Sequence, residues 1–368
     1  MRSVDLAQDE RAVYALRSLY QSYGYAPYKM SKFEEYELYV RNKDFLVSDH
    51  IITFTDATGR LLALKPDVTL SIVKNSRLDR APLQKVYYNE KVYRTAPASH
   101  EFREITQVGL ECIGQVDAYA LCEVLMLAVR SLSELADDYV LEVSHLDIVS
   151  RLLDGMNVSG ETRARLLDCI ADKNTHDIDA ICREADVDSD RADMLRRLIG
   201  TYGTPDQVLS VLYELAERDR ALCAPVDELC RVLSVLGEQG RTKGVRIDFS
   251  LINDMNYYNG LVFRGYIKGV PTRILSGGQY DGLMQKMGKD ARAVGFAVYL
   301  DLLEHLRERS PEYDADTVVL YDEMTDPSDV CRAVEQCVQA DEQVIALRSL
   351  PASLRCRRIV RLGKEAET

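Results

Sequence analysis

The sequence predicts an α+β protein, because strand patterns cluster on either side of a long helical stretch. Strand-like segments rich in β-branched and aromatic residues lie within residues 51–113 and 245–275. In residues 150–240, Leu, Ile and Val recur at three- and four-residue steps, which indicates a helical insertion. The 368 residues exceed the usual size of one domain. We expect one large domain over residues 1–310, with the insertion at about 150–240, and a small α/β extension over residues 311–368.

The predicted elements follow in order along the chain. Residues 8–23 predict an amphipathic helix that ends at Gly24. Residues 51–54 and 60–64 predict a β-hairpin around a tight turn. Further strands are expected at 83–93, 102–113, 139–146, 245–249, 257–267 and 272–275, further helices at 117–135 and 294–309, and in the extension a strand, a helix and a strand at 317–321, 328–340 and 344–348. The strands before the insertion suggest an antiparallel sheet.

The net charge of −13 argues against nucleic acid as a main partner, because an acidic chain repels a phosphate backbone. No apolar run approaches the ~18 residues that span a bilayer. The N-terminal segment MRSVDLAQDERAVY contains no hydrophobic signal core. We therefore expect a cytoplasmic protein without a membrane or nucleic-acid partner.

The nine cysteines and five histidines show no metal-binding spacing. No two cysteines form a C-x-x-C pair, and the histidines are isolated from one another along the chain. An odd, scattered set of cysteines favours reduced core residues over disulfides or a zinc site. We expect neither a metal nor another cofactor.

The strand at 102–113 contains one polar face. Two-residue alternation places Arg103, Gln107, Gly109 and Glu111 on the same side, with apolar residues behind them. A polar face with a glycine gap is typical of a sheet floor beneath a polar ligand. The same pattern also fits a solvated face of an antiparallel sheet.

Three other segments are ambiguous on their own. The segment SGGQYDG, residues 276–282, permits close approach of a ligand to the backbone, but by itself predicts a turn. Tyr257 and Tyr258 could place one phenol on each face of a strand, although most such tyrosines simply pack. The segment KPDVT, residues 65–69, combines a carboxylate and a hydroxyl and passes as ordinary loop chemistry.

Taken together, the order of these segments is far more specific. LALKPDVT, VYRTAPASHEFREITQVGLECIG, NDMNYYNGLVF, SGGQYDGL and AVGFAVYLDLL resemble, in this order, the catalytic domain of histidyl-tRNA synthetases. The resemblance covers roughly residues 5–308. It implies a class II aminoacyl-tRNA synthetase-like fold, an antiparallel sheet flanked by helices.

The resemblance implies a histidine pocket. The family residues that bind the α-amino group match Asp67 and Thr69, and the glutamine and glutamate of the pocket match Gln107 and Glu111. The two tyrosines that close the family pocket match Tyr258 and Tyr280, and the arginine of motif 2 matches Arg94. Carboxylates and hydroxyls suit an ammonium group and a ring N–H, because buried donors require partners.

The departures from the family pattern concern catalysis. The family stabilises the α-phosphate of ATP with further arginines, and two of these positions fall on Asn253 and Leu302, while a third falls near Glu101. Loss of one such charge stabiliser typically costs ~10² to 10³ in rate. Two or three losses predict that the chain is not a working synthetase.

Two more departures concern assembly and tRNA. The proline that ends motif 1 in the family corresponds to Ser31, which bears on the dimer interface. Residues 311–368 are shorter than the family's usual anticodon-binding domain, so tRNA reading is not expected.

A synthetase-like chain that keeps the amino-acid pocket and loses ATP chemistry is similar to the regulatory subunits of ATP phosphoribosyltransferase. The resemblance implies a non-catalytic subunit that binds histidine and controls the first step of histidine biosynthesis. The implied partner is a short-form ATP phosphoribosyltransferase catalytic subunit, with this chain as a homodimer within a hetero-oligomer. Two alternatives are a working histidyl-tRNA synthetase and a free-standing histidine sensor or adaptor.

Overall fold

A computed structural model describes residues 8–45, 51–78, 81–95, 101–252, 255, 257–305 and 313–362. The chain divides into two compact units, one spanning residues 9–306 and the other containing residues 313–362. The motifs that suggest a histidine pocket all fall within the larger unit.

The helices are α1 (Gln8–Ser22), α2 (Tyr36–Arg41), α3 (Thr69–Asn75), α4 (Ala118–Leu135), α5 (Leu146–Asp154), α6 (Gly160–Ala171), α7 (Thr175–Glu184), α8 (Ser189–Gly200), α9 (Pro205–Arg218), α10 (Cys223–Glu238), α11 (Asp281–Lys286) and α12 (Pro327–Gln339). The strands are β1 (Ala26–Pro27), β2 (Phe33–Glu35), β3 (Thr53–Thr55), β4 (Leu61–Leu64), β5 (Leu83–Thr95), β6 (Phe102–Gly114), β7 (Tyr139–His145), β8 (Tyr202–Gly203), β9 (Val245–Asp248), β10 (Asn259–Ile267), β11 (Leu275–Gln279), β12 (Arg292–Tyr299), β13 (Ala315–Tyr321), β14 (Val344–Leu347) and β15 (Cys356–Leu362). Short 3₁₀ helices occupy Lys43–Phe45, Arg220–Leu222 and Leu300–His305.

The described residues of the larger unit form a nine-stranded sheet in the order β1-β5-β6-β12-β11-β10-β7-β9-β8. The expectation of an antiparallel sheet is correct for its central strands but not for the whole, because β1 pairs with β5, and β7 with β9, in parallel. Parallel pairing requires a long crossover connection. Helices α5 to α10 provide that crossover between β7 and β9.

Apolar residues cover both faces of the central strands. On one face, helices α1 and α4 pack with the insertion helices into the main core. On the other face, a second cluster joins α3, α11 and the neighbouring strands. Asp117 begins α4 as its N-cap, and its side chain accepts a hydrogen bond from the amide of Ala120. The predicted helices at the start of the chain and at 117–135 are confirmed, and Gly24 follows the first at a φ of 80°.

The expected helix over residues 294–309 is wrong up to residue 305, and residues 306–309 lie outside the described part of the chain. Residues 292–299 form β12, and a 3₁₀ helix follows. This strand lies between β6 and β11 with apolar neighbours on both faces, so that Val294, Phe296 and Val298 are buried alongside Ala293. A strand covered on both sides loses its alternation of polar and apolar residues, and its run of apolar residues then resembles a buried helix.

The turn expected at residues 276–282 is also wrong. Gly277 and Gly278 lie inside β11, and the strand predicted at 272–275 is in fact this one, running from Leu275 to Gln279. The glycines admit neighbouring groups: a Cβ at 277 would overlap Phe296, and one at 278 would stand 2.8 Å from the Tyr258 ring. The pair therefore marks close packing against the strand rather than a change of chain direction.

The hairpin at residues 51–64 forms as predicted, with β3 antiparallel to β4 and Gly59 at a φ of 87° in the turn. Strand β2 pairs with the other edge of β4. The pattern of the next segment, residues 65–69, predicts a loop, but its last residue, Thr69, begins helix α3. This helix is seven residues long, and its first five residues are buried.

The predicted helical insertion is present as α5 to α10. Polar side chains begin three of these helices, since Ser159, Asn174 and Asp188 each accept a hydrogen bond from a backbone amide in the first turn. Within the described residues no helix is both long and apolar enough to cross a membrane.

The smaller unit contains a parallel sheet in the order β14-β13-β15, with α12 between β13 and β14 in the chain. The strands expected at 317–321 and 344–348 and the helix at 328–340 are confirmed. Strand β15 is an addition to the predicted elements. Its sequence, CRRIVRL, carries three arginines and lacks the apolar alternation of a half-buried strand.

Candidate histidine pocket

Glycines leave space on one face of the nine-stranded sheet for the side chains of the candidate pocket. Glu111 of β6 lies opposite Gly295 of β12, which lies opposite Gly278 of β11. Directly opposed residues share one face, which we call the pocket face. A Cβ at position 295 would overlap the Glu111 carboxylate. The two glycines therefore leave room above the sheet for this carboxylate and for the ring of Tyr258.

Glu111 is the buried centre of the pocket face, with 2% of its surface exposed. One carboxylate oxygen accepts a hydrogen bond from the Thr69 hydroxyl at 2.7 Å, and the other accepts one from the Tyr280 hydroxyl at 2.6 Å. Burial raises the pKa of Glu111 to about 8, although both hydroxyl groups oppose the rise. The solvated-face interpretation is therefore wrong for Gln107, Gly109 and Glu111, which are buried, whereas Arg103 is exposed.

Asp67 and Thr69 reach the pocket from the turn that leads into α3. Both are 7% exposed. An Asp67 carboxylate oxygen accepts a hydrogen bond from the amide of Leu70 at 2.8 Å. Burial raises the pKa of Asp67, while this amide and the positive charge of Arg94 oppose the rise. The start of α3 thus fixes the carboxylate and the hydroxyl together.

Arg94 lies near the end of β5. Its Nε donates a hydrogen bond to the carbonyl oxygen of Pro66 at 2.9 Å, immediately before Asp67. The guanidinium is thereby held beside the turn that carries the Asp67 carboxylate. A planar guanidinium in this place is suited to a carboxylate on a ligand.

Gln107 and Tyr88 supply two more polar groups on the pocket face. Gln107 is 3% exposed, and no described residue forms a hydrogen bond with its side-chain amide. Tyr88 of β5 lies opposite Gly109, and its ring occupies the space that a Cβ at 109 would need. Burial raises the pKa of Tyr88, and the nearby carboxylates of Glu111 and Asp67 add to the rise.

Three tyrosine rings form one side of the pocket. The Tyr257 ring centroid lies 4.6 Å from that of Tyr258 and 6.2 Å from that of Tyr280. The expectation that Tyr257 and Tyr258 face opposite sides of a strand is wrong, because strand β10 begins only at Asn259. Burial raises the pKa of Tyr257 well above its usual value, and Asp67 and Glu111 both contribute.

The structure therefore brings together all seven predicted pocket residues, namely Asp67, Thr69, Arg94, Gln107, Glu111, Tyr258 and Tyr280, on or beside one face of the sheet. Sequence reasoning missed Tyr88, and it considered Tyr257 without assigning it to the pocket. A signal for Tyr88 existed, because antiparallel pairing of the two predicted strands places a large side chain opposite the glycine gap at 109. Tyr257 lies in an irregular segment where alternation gives no guidance.

Three positions of this chain match arginines of the family, namely Asn253, Leu302 and a position near Glu101. Leu302 lies in the 3₁₀ helix after β12, where it is partly buried and packs against the main core. An apolar side chain there supplies no charge to a phosphate. Asn253 falls outside the described residues. Glu101, immediately before β6, is acidic and exposed.

The described part of the chain contains no group of three or more His, Cys, Asp or Glu residues that could hold a metal ion. Six of the nine cysteines are buried within the two units. The described side chains of the candidate pocket are two buried carboxylates, one guanidinium, several hydroxyls and aromatic rings, a set suited to binding a small polar ligand.

The chain is similar to histidyl-tRNA synthetases and to regulatory subunits of ATP phosphoribosyltransferase. The family model for histidyl-tRNA synthetase matches residues 3–303. A curated ATP phosphoribosyltransferase regulatory subunit from Caldanaerobacter subterraneus is 29% identical over 291 residues, which cover 77% of this chain and 75% of that protein.

Solved structures show the same fold. An ATP phosphoribosyltransferase regulatory subunit/histidyl-tRNA synthetase from Bacillus halodurans superposes with a TM-score of 0.80 at 23% identity, covering 98% of this chain and 96% of that one. A chain of the ATP phosphoribosyl transferase (HisG:HisZ) complex from Thermotoga maritima superposes with a TM-score of 0.62 at 22% identity, covering 80% and 98%. The class II synthetase-like fold expected from the sequence is confirmed.

The family match covers most of the larger unit, including every strand that forms the pocket face. The suspected kinship, inferred from five ordered segments, is confirmed by this match and by the curated regulatory subunits. The chain belongs to the histidyl-tRNA synthetase family.

Proposed function

We propose that this chain is a non-catalytic regulatory subunit of ATP phosphoribosyltransferase, the first enzyme of histidine biosynthesis, and that it binds histidine for feedback control. The observation that carries the proposal is the buried Glu111 carboxyl with the Thr69 and Tyr280 hydroxyls bonded to it, and the position that resembles a phosphate-stabilising arginine of the family is Leu302. The relatives named as regulatory subunits support the same assignment.

Histidine fits the charges of the pocket at three points. Asp67 provides a carboxylate for the α-ammonium group, and Arg94, beside it, provides a cation for the α-carboxylate. Glu111 provides a partner for a ring nitrogen, and the Thr69 hydroxyl, which donates to Glu111, keeps lone pairs that accept from the α-ammonium group. The three tyrosine rings provide an aromatic wall for the imidazole.

Synthetase activity is not proposed, because adenylate formation concentrates negative charge on the α-phosphate. The family opposes that charge with several arginines, whereas this chain has Leu302 packed against the core at one of those positions. Since one missing stabiliser costs ~10² to 10³ in rate, the remaining Arg94 is insufficient.

The proposed partner is a short-form ATP phosphoribosyltransferase catalytic subunit, which would carry the chemistry. The similar structure of the HisG:HisZ complex from Thermotoga maritima supports a partner of this kind. Histidine would act by linkage, binding one state of the complex more tightly and so shifting the equilibrium away from the active state. We further propose a homodimer of this chain within the hetero-oligomer, located in the cytoplasm.

Calorimetric titration of the chain with histidine tests the pocket. We expect saturable binding that is lost in Asp67→Ala and Glu111→Ala variants. Glu238→Ala serves as a matched control, since Glu238 is an exposed acid at the end of α10. Absence of binding by the wild-type chain would contradict histidine recognition.

Reconstitution with the catalytic subunit separates the alternatives. We expect co-purification of the two chains and inhibition by histidine that the Asp67→Ala variant lacks. ATP–pyrophosphate exchange that depends on histidine would instead establish a synthetase. Histidine binding without assembly would establish a free-standing sensor.

A further inference from the structure

Glu111 is buried without a positive partner. Its carboxylate receives hydrogen bonds only from hydroxyl groups, those of Thr69 and Tyr280, among the described residues. Both are neutral donors. A carboxylate that is 2% exposed and lacks a cation has a strong preference for its protonated form.

The ionisable groups that act on Glu111 come from several elements, and all the described ones are acids. Asp67, on the turn before α3, is the one whose charge raises the pKa of the Glu111 carboxyl. The other acids coupled to this carboxyl are Tyr88 on β5, Cys112 on β6, Tyr25 before β1, Tyr257 before β10 and Tyr280 before α11. The Arg94 guanidinium acts on Asp67 instead.

Imidazole has the complementary property. Its neutral ring has one donor and one acceptor nitrogen, and its cation has two donors. Each carboxylate oxygen of Glu111 keeps a second lone pair beyond the hydrogen bond from Thr69 or Tyr280. A protonated carboxyl facing a neutral ring and a carboxylate facing a cationic ring therefore contain the same number of protons, and either pair satisfies the site.

We propose that bound histidine and Glu111 together hold a single titratable proton, so that the pocket recognises an ionisable ring by sharing a proton rather than by matching a fixed charge. This inference rests on the proposed histidine binding and goes beyond it. The shared proton is then bound together with histidine.

Proton linkage follows from this composition. Free imidazole has a pKa of ~6.5, and burial raises the pKa of Glu111 to about 8. Below about pH 6.5 the free partners hold two protons and binding releases one, whereas above about pH 8 they hold none and binding takes one up. Between these limits the free ring is neutral, the carboxyl is protonated and no net proton moves. The affinity is then highest between the limits and falls about tenfold per pH unit beyond each.

The test is calorimetric titration of the full-length chain with histidine from pH 5.5 to 9, each pH measured in two buffers of different ionisation enthalpy. The dependence of the heat on the buffer gives the number of protons exchanged. We expect release near pH 5.5, none near pH 7.2 and uptake near pH 9.

Two controls separate the partners of the shared proton. With 1,2,4-triazolylalanine, whose ring stays neutral over this range, we expect the proton release at low pH to disappear and the proton uptake at high pH to remain. With the Glu111→Gln variant and histidine, we expect the proton uptake at high pH to disappear and the proton release at low pH to remain. The α-amino and α-carboxyl groups are the same in both ligands, so their own titration cancels in the comparison.

Histidine binding with no buffer dependence at any pH would overturn the shared proton while leaving the histidine site intact. Failure of histidine to bind at every pH would overturn the proposed function itself, and the shared proton with it. The wild-type buffer series and the triazole series decide the matter even if the Glu111→Gln variant fails to fold.

Discussion

Glu111 serves ligand recognition, but its ionisation lowers the stability of the ligand-free chain. Its folded pKa of about 8 lies above the ordinary carboxyl value, so the folded chain binds an extra proton that the unfolded chain releases. The free energy of unfolding therefore falls as pH rises from the ordinary carboxyl pKa to about 8, by at most about 1.4 kcal/mol per pH unit. Above about pH 8 the whole of this contribution is lost.

We therefore expect Glu111→Gln to be more stable than the wild type at pH 8.5 and closer to it at pH 5.5. The amide keeps the shape of the carboxyl but does not ionise. Urea unfolding of both ligand-free chains at the two pH values measures the difference, in which other titrating groups cancel. A difference that is the same at both pH values would contradict the raised pKa.

The hydroxyl groups that contact Glu111 are expected to control affinity. Thr69→Val and Tyr280→Phe each remove one donor to a buried carboxyl while keeping the volume of the side chain. In the complex the Glu111 carboxyl carries part of the charge that it shares with the ring, and a hydrogen bond to a charged group contributes about 1.5–3 kcal/mol, so histidine affinity should fall roughly 10- to 100-fold. Calorimetric titration measures this, and Tyr14→Phe, at a tyrosine that is 70% exposed, should leave affinity unchanged.

The sequence predicts the chemical groups of the pocket better than their surroundings. Alternation along one strand is enough to place Gln107 and Glu111 on one face, because the period of a strand is fixed by its backbone. The burial of that face cannot be predicted in this way, since it depends on α3 and on the tyrosines of distant segments. The position of Tyr257 beside the pocket cannot be predicted from the sequence for the same reason.

At the scale of the elements, the pocket depends on a row of glycines across three strands. Gly295 lies opposite Glu111, and Gly109 lies opposite Tyr88. Gly295 and Gly109 each make space for a side chain of the neighbouring strand, and Gly278 of β11 makes space for the Tyr258 ring, so the polar groups lie over the sheet instead of pointing away from it. Such a row is invisible in any single segment, because the register of the strands creates it.

We expect Gly295→Ala to abolish histidine binding while the fold is retained. The added methyl group would overlap the Glu111 carboxylate and would stand 2.5 Å from the Leu110 carbonyl oxygen, so the carboxylate must leave its position. Titration with histidine and circular dichroism together check this. Gly160→Ala is the matched control, since a Cβ at that position meets no atom within 4 Å.

The elements for which the sequence pattern misleads are those that burial shapes most. Strand β12 lies between two other strands and is apolar on both faces, so its pattern predicts a helix. Helix α3 is only seven residues long and follows a proline-containing turn, so its first residue reads as part of a loop. The amphipathic α1 and the hairpin of β3 and β4 are predicted correctly because local pattern and turn chemistry determine them.

At the scale of the whole molecule, the division of the chain into two units leaves every residue of the pocket in the larger unit. All seven predicted pocket residues, with Tyr88 and Tyr257, lie within residues 9–306, and this unit has its own buried core on both faces of the sheet. A domain with its own core can in principle fold alone.

A chain that ends at residue 312 should therefore fold and bind histidine with the affinity of the full chain, within a factor of about three. The reason is that the sheet, α3 and the tyrosine wall are all retained, whereas the truncation removes only the sheet of β13, β14 and β15 with α12. Titration of the two chains side by side measures the effect, and circular dichroism verifies folding of the shorter one. A folded, truncated chain with a much weaker affinity would mean that the smaller unit contributes to recognition; the pocket would then have to be redefined to include it.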